Sequence, residues 1–234
     1  MSSRLLLFGF AATAAAAASP APAAQRNFSV TDFNRVRVDG PYRVKLATGV
    51  APFARAEGPT AALDGLLIEV QGRTLVIRKN PSSWGGYPGQ SAGPVSIAVG
   101  THDLTTVWLN GAGALAVDKA KTMAFDLSVE GSGSVAIGHL EADQLRAGLS
   151  GTGSATIGGT AAVVTAIVRG TSSFDGSALT SKDATLGADG SSIVKLNATN
   201  TAKVDTQGTA TVELSGRPAC TVRASGSAEV SGCR

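Results

Sequence analysis

In the second half of the chain an apolar–polar alternation recurs on both sides of a glycine. The phrases LNGAGAL, VEGSGSV, LSGTGSA, VRGTSSF, ADGSSIV, TQGTATV and ASGSAEV have Gly111, Gly131, Gly151, Gly170, Gly190, Gly208 and Gly226 as first glycines, at spacings of 20, 20, 19, 20, 18 and 18 residues. Four residues before each glycine stand Val107, Leu127, Ala147, Ala166, Leu186, Val204 and Val222; four after stand Leu115, Val135, Ala155, Phe174, Val194, Val212 and Val230. Even offsets are mostly apolar and odd offsets mostly polar or small. That is the period of a strand, on both sides of a tight bend. A repeat of short strands with no helical pattern implies a coil whose turns stack on one another, so that like residues form ladders about 4.8 Å apart. The reading is an all-β protein built as a parallel β-helix of about 20 residues per rung. The six spacings make the repeat part, residues 100–234, about 29 Å tall. Val129, Val135, Phe174, Val194 and Val212 are its expected interior.

The preceding residues 25–99 form an irregular N-terminal β segment, expected to cap the solenoid. Phe33–Leu46 alternates around Gly40, and Leu66–Val70 and Thr74–Ile77 read as a hairpin with Gly72 in its turn. Asn80–Pro94 is a loop rich in Pro, Gly and Ser, and Val95–Val99 is a last strand. No linker separates the two parts, so residues 25–234 read as one structural unit.

Residues 1–24 read as a secretory signal peptide. Arg4 precedes an apolar stretch, Leu5–Ala18, which is too short to span a bilayer and is followed by small residues and two prolines. Export to the periplasm or the extracellular surface follows, with no membrane span in the mature chain. The only cysteines, Cys220 and Cys233, are then expected to form a disulfide in an oxidising compartment.

The order of these features, an opening FNRVRVDGPYRVKL, a middle LLIEVQGRTLVIRK, a V-x-I-x-V strand and repeated G-[SAT]-G phrases, resembles the head GIN domain family of putative auto-transporter adhesins. The resemblance covers about Phe33 to Cys233. It implies a right-handed β-helix similar to pectin-lyase-like folds, an exported bacterial protein and an adhesive role without known catalysis.

Composition narrows the chemistry. The 20 Lys and Arg are scattered among 17 Asp and Glu, with no basic run, so a nucleic-acid surface is not indicated. The G-x-G phrases are followed by strands, whereas a dinucleotide loop needs a helix N-terminus. No His or Cys set has metal-ligand spacing; no metal or cofactor is expected. Glycoside hydrolysis needs two carboxylates about 5–9.5 Å apart. Glu130 and Asp189 share a column but stand three rungs apart, about 14 Å. Asp175 and Glu213 flank Lys195, which is expected to pair with both. Glu141, Asp143 and Asp183 are assigned to rung-connecting loops, and His102 and His139 share no column.

Aromatic residues make up only 5% of the chain, which singles out Trp84 and Tyr87 in the loop and Trp108 at an outward offset of the first rung. Such residues either cap the core or offer an apolar face to a sugar ring or a protein partner. The sequence therefore supports a non-catalytic adhesin or cell-envelope interaction module, binding a glycan, an envelope component or a protein. The alternative is a carbohydrate-active enzyme, a polysaccharide lyase or hydrolase of pectin-lyase-like fold. A further reading is a homo-oligomeric scaffold using rung ends or sides.

Overall fold

A computed structural model describes residues 24–82 and 93–234. The proposed signal segment lies outside the described residues except for Ala24, and so do Trp84 and Tyr87. The strands are β1 (Ala24–Phe28), β2 (Arg35–Asp39), β3 (Arg43–Thr48), β4 (Phe53–Gly58), β5 (Leu66–Gln71), β6 (Thr74–Lys79), β7 (Ser96–Thr101), β8 (Thr106–Gly111), β9 (Ala114–Gly131), β10 (Ser134–Gly151), β11 (Ser154–Gly170), β12 (Ser173–Gly190), β13 (Ile193–Gly208), β14 (Thr211–Ser215), β15 (Ala219–Gly226) and β16 (Glu229–Ser231). One short helix, α1 (Thr60–Asp64), precedes β5. From β8 onward every rung pairs in parallel with the next, and the glycines stack, Gly111 on Gly131, Gly131 on Gly151 and so to Gly226.

The bends show why the phrase is G-x-G. At the first glycine the chain turns with positive φ, 102° at Gly131 and 100° at Gly151. A Cβ on Gly151 would lie 2.6 Å from the Gly131 carbonyl oxygen. That close approach lets the next rung bond back: Ser132 N–H donates to Gly111 O at 3.0 Å and Thr152 N–H to Gly131 O at 2.8 Å. The second glycine faces inward, where a Cβ on Gly133 would come within 2.7 Å of Leu109. Down the coil the residue two before the bend runs Leu109, Val129, Leu149, Val168, Ala188, Thr206 and Ala224, and the residue two after it runs Gly113, Gly133, Gly153, Ser172, Ser192, Ala210 and Ala228. Where the first is Leu the second is Gly, and where the first is Ala the second carries a side chain, as close packing at a shared corner favours.

The predicted interior is observed. Val129, Phe174, Val194 and Val212 are fully buried and Val135 is 2% exposed. Phe174 fits a column of smaller residues because Gly176 leaves it room: a Cβ there would sit 3.1 Å from its ring and 2.9 Å from Leu196.

Two expectations need correction. The first rung is not the one at Gly111. β2, Gly40 and β3 form an earlier rung in the same ladder, with Arg35–Asp39 paired in parallel to Thr106–Asn110 and Arg43–Leu46 to Ala114–Val117. The N-terminal segment is thus partly regular coil. The β5–β6 hairpin then adds β6 to β2 in parallel, while β7 adds to β3, β4 to β7 and β1 to β4, the last two antiparallel. Second, Glu141, Asp143 and Asp183 do not lie in loops. β10 and β12 run unbroken through these positions, because the neighbouring rungs stay paired with Glu141, Ala142 and Gln144 in β10 and with Asp183 in β12. Rungs shorter than 20 residues lose their residues at the corner beyond the bend, where the register slips between Ile137 and Leu140 and again after Gly176.

Candidate functional site

The outward column three residues before each bend runs Arg37, Trp108, Ser128, Gly148, Ile167, Gly187, Asp205 and Arg223, one residue per rung. Its side chains rise and fall. Trp108, half-buried on β8, stands at one side of a dip whose floor is Ser128 and Gly148; Ile167, 45% exposed, stands at the other. By rung spacing the two apolar walls are about 14 Å apart. The dip is a pocket of about 270 Å³, flanked by Asp126 and Arg146. Arg146 stands 3.9 Å from Asp126 and donates to Gln144 at 3.4 Å. Next to Trp108 on the other side, Arg37 donates to Asp39 at 2.9 Å, and Asp39 also accepts from Asn110 at 2.5 Å. The pocket therefore combines an indole, an aliphatic wall, a floor almost free of side chains and paired charges that retain hydrogen-bonding capacity. A second dip of about 400 Å³ follows on the same wall around Gly187, lined by Arg169, Asp189, Asp205, Gln207 and Arg223.

Of the aromatic candidates only Trp108 lies among the described residues. The charged and titratable residues singled out in the sequence have the following partners. Lys195 bonds Glu213 at 2.8 Å, and that contact raises its pKa above the usual lysine value. It does not bridge to Asp175 as expected; Asp175 accepts from the Ser177 N–H at 3.0 Å. That bond, with a smaller contribution from Lys195, holds the Asp175 carboxyl below the usual range.

His102 and His139, in different columns, line one pocket of about 250 Å³ with Lys119, Lys121 and Glu141. The repeat columns do not announce this, because His102 follows β7, which joins the stack beside β3 and lies outside the repeat that holds His139. His102 Nδ1 lies 3.1 Å from Asp32, whose pKa is lowered chiefly by that bond. Glu141 is engaged by Lys121 at 2.7 Å. Among the described residues no set of three His, Cys, Asp or Glu side chains is placed to hold a metal. Cys220 and Cys233 form a disulfide with Cα atoms 5.7 Å apart. No helix among the described residues is long and apolar enough to cross a membrane.

Comparison with solved structures finds the same coil elsewhere. A putative adhesin from Bacteroides fragilis superposes with a TM-score of 0.78 at 18% identity, over 89% of this chain and 95% of that one. A putative lipid binding protein from Parabacteroides distasonis gives 0.69 at 17% identity, over 90% and 97%. A putative adhesin from Parabacteroides merdae gives 0.67 at 13% identity, over 90% and 96%. At such identities the likeness is one of fold. No curated protein matches significantly. The family model described as "Putative auto-transporter adhesin, head GIN domain" matches residues 32–218, from just before β2 of the Gly40 rung to just before β15, and the chain belongs to that family.

Proposed function

We propose that this chain is an exported, non-catalytic interaction module of the cell envelope that binds a neutral saccharide in the Trp108 pocket. The observation that carries the reading is the indole standing as a wall beside the Ser128–Gly148 floor. A sugar ring has one face of C–H groups and a rim of hydroxyls. The face stacks on an indole, which can bury about 150–250 Å², and the rim needs the donors and acceptors that Arg146, Asp126 and Ser128 supply. The cations beside the pocket are balanced, Arg37 by Asp39 and Arg146 by Asp126, so nothing there favours an acidic polymer over a neutral one. The second dip around Gly187 gives a longer chain somewhere to continue along the wall. Trp84 and Tyr87 belong to the same proposal as further aromatic contacts. The periplasm or the cell surface is the compartment in which such a module would act.

The test is a glycan and cell-wall-fragment array probed with residues 25–234 and with Trp108→Ala. Binding of a neutral oligosaccharide, weakened about tenfold or more by the substitution as for a hot-spot truncation, with an unchanged melting temperature, is the expected result. Full binding by Trp108→Ala would remove the pocket from the reading. Shortening of any bound oligosaccharide on incubation would favour the lyase or hydrolase instead.

A further inference from the structure

A different wall of the coil, the one that follows the bend, carries a shallow trough of about 600 Å³ across β4, β7, β3, β9, β10 and β11. Its floor is the column Ala98, Ala116 and Ala136, broken between Ala98 and Ala116 by Lys45 and continued by Thr156. Beside Lys45 on β3 stands Arg43, next to Ala114. Both side chains are exposed and, among the described residues, neither has an ion-pair partner. Arg55 adds a third cation on the far side of Ala98, and Glu57 is the single carboxylate of the lining. The combination is unlike the Trp108 pocket, where each cation has its acid and no row of methyl groups is present.

We propose that this trough binds a single-chain amphiphile with an anionic head. The head lies between Arg43 and Lys45, where two unpaired cations two residues apart on one strand face the same side. The alkyl chain runs from there over Ala116 and Ala136 toward Thr156, three strand spacings or about 14 Å. Alanine methyl groups offer contact without hydrogen-bonding capacity, so they suit an aliphatic chain and not a sugar. The concavity selects a single chain over a bilayer, because a flat headgroup surface would meet the tips of Arg43, Lys45 and Arg55 without reaching the floor. A pocket of this volume, mostly apolar with a few convergent polar groups, is the usual form of a small-molecule site.

The experiment is titration calorimetry of residues 25–234 with dodecyl phosphate below its micellar concentration. Comparison ligands are dodecyltrimethylammonium, with the same tail and opposite head, inorganic phosphate, with the head alone, and anionic phospholipid vesicles. The expected result is saturable binding of one dodecyl phosphate per chain, at least tenfold tighter than either small comparison ligand. Arg43→Glu/Lys45→Glu should weaken it at least tenfold. Ala116→Gln/Ala136→Gln, which keeps both cations and fills the floor, should do the same. Lys182→Glu/Lys203→Glu, an equal charge change elsewhere, should leave it unaltered. Equal affinity for the cationic amphiphile, indifference to both trough variants, or capture by vesicles without binding of the monomer would each overturn the assignment.

Discussion

At one end of the coil the rung made by β2 and β3 is covered on both walls, by β6 and β5 on one and by β7, β4 and β1 on the other. Phe33, Leu63, Leu75 and Ile77 fill the space behind it, each no more than 1% exposed, and Arg26 on β1 reaches α1 by donating to Leu63 O and Asp64. At the other end β15 and β16 each pair on one side only. The inward columns continue onto this last rung, but they meet water. Val204 is fully buried, while Val222, next in its ladder, is 42% exposed. A residue in a coil of this kind owes its burial to the rungs on either side of it. The sequence pattern assigns the same role to both valines, and only the stack tells them apart.

The sharpest way to break this contrast is to put the same charge at both places. Val204→Asp buries an uncompensated carboxylate at a cost of several kcal/mol, and no cooperative unfolding transition should remain. Val222→Asp should change stability by no more than about 1 kcal/mol. Similar urea midpoints for the two variants would mean that the last rung is covered in solution.

A smaller effect is expected from the disulfide. Cys220→Ser/Cys233→Ser opens a loop of sequence separation 13, worth at most about 3 kcal/mol in the chain-entropy account. Because the bridge ties only the last rung, its loss should appear as faster amide exchange in Ala219–Ser231, with β2, β3 and their covering strands unchanged. Equal loss of protection at both ends would show the coil to unfold as one unit, with no distinct terminal rung.

Acid should have the smallest effect and should not distinguish the ends. Near the covered end Asp32 is held low chiefly by His102; toward the open half Asp183 is held low chiefly by the Thr201 hydroxyl and then by Asn200. A carboxyl whose folded pKa lies below its unfolded value stabilises above the unfolded value and loses that contribution as the pH falls through the folded one. Both contributions should therefore fade below about pH 4. Thr201→Val should move the Asp183 titration, followed by carboxyl NMR shifts, upward toward the ordinary range and leave Asp32 where it is.

The repeat was legible because every rung uses the same columns, and the interior positions of Val129 and Phe174 followed from the period alone. The Gly40 rung was harder to see because Gly40 and Gly111 are separated by the residues that build β4 to β7, which destroys the spacing. The column signature was nevertheless present: Val36, Val38, Val44 and Leu46 occupy the offsets that Val107, Leu109, Leu115 and Val117 occupy around Gly111. Aligning columns instead of counting periods would have found it. The Trp108 pocket was half legible. The indole was evident, but its value depends on Ser128 and Gly148 in the two rungs beside it, and lateral neighbours appear only once the register is fixed. The trough was not legible, because Arg43 and Lys45 reach Ala116 and Ala136 through a pairing between β3 and β9 that no local pattern announces.

The bridge between Cys220 and Cys233 also decides where a mechanical load would enter the molecule. Pulled at Arg234, an unbridged chain would peel β16 and then β15 from the stack one hydrogen bond at a time, the easiest way to open a ladder. With the bridge in place tension passes from Cys233 straight to Cys220, which is paired with Ala202 on β13, and the residues between the two cysteines carry none of it. The force then enters at Cys220, so peeling of β16 and of the part of β15 beyond Cys220 is bypassed. The bridge would thus shield the last rung from load, an effect that would be invisible in an equilibrium melt.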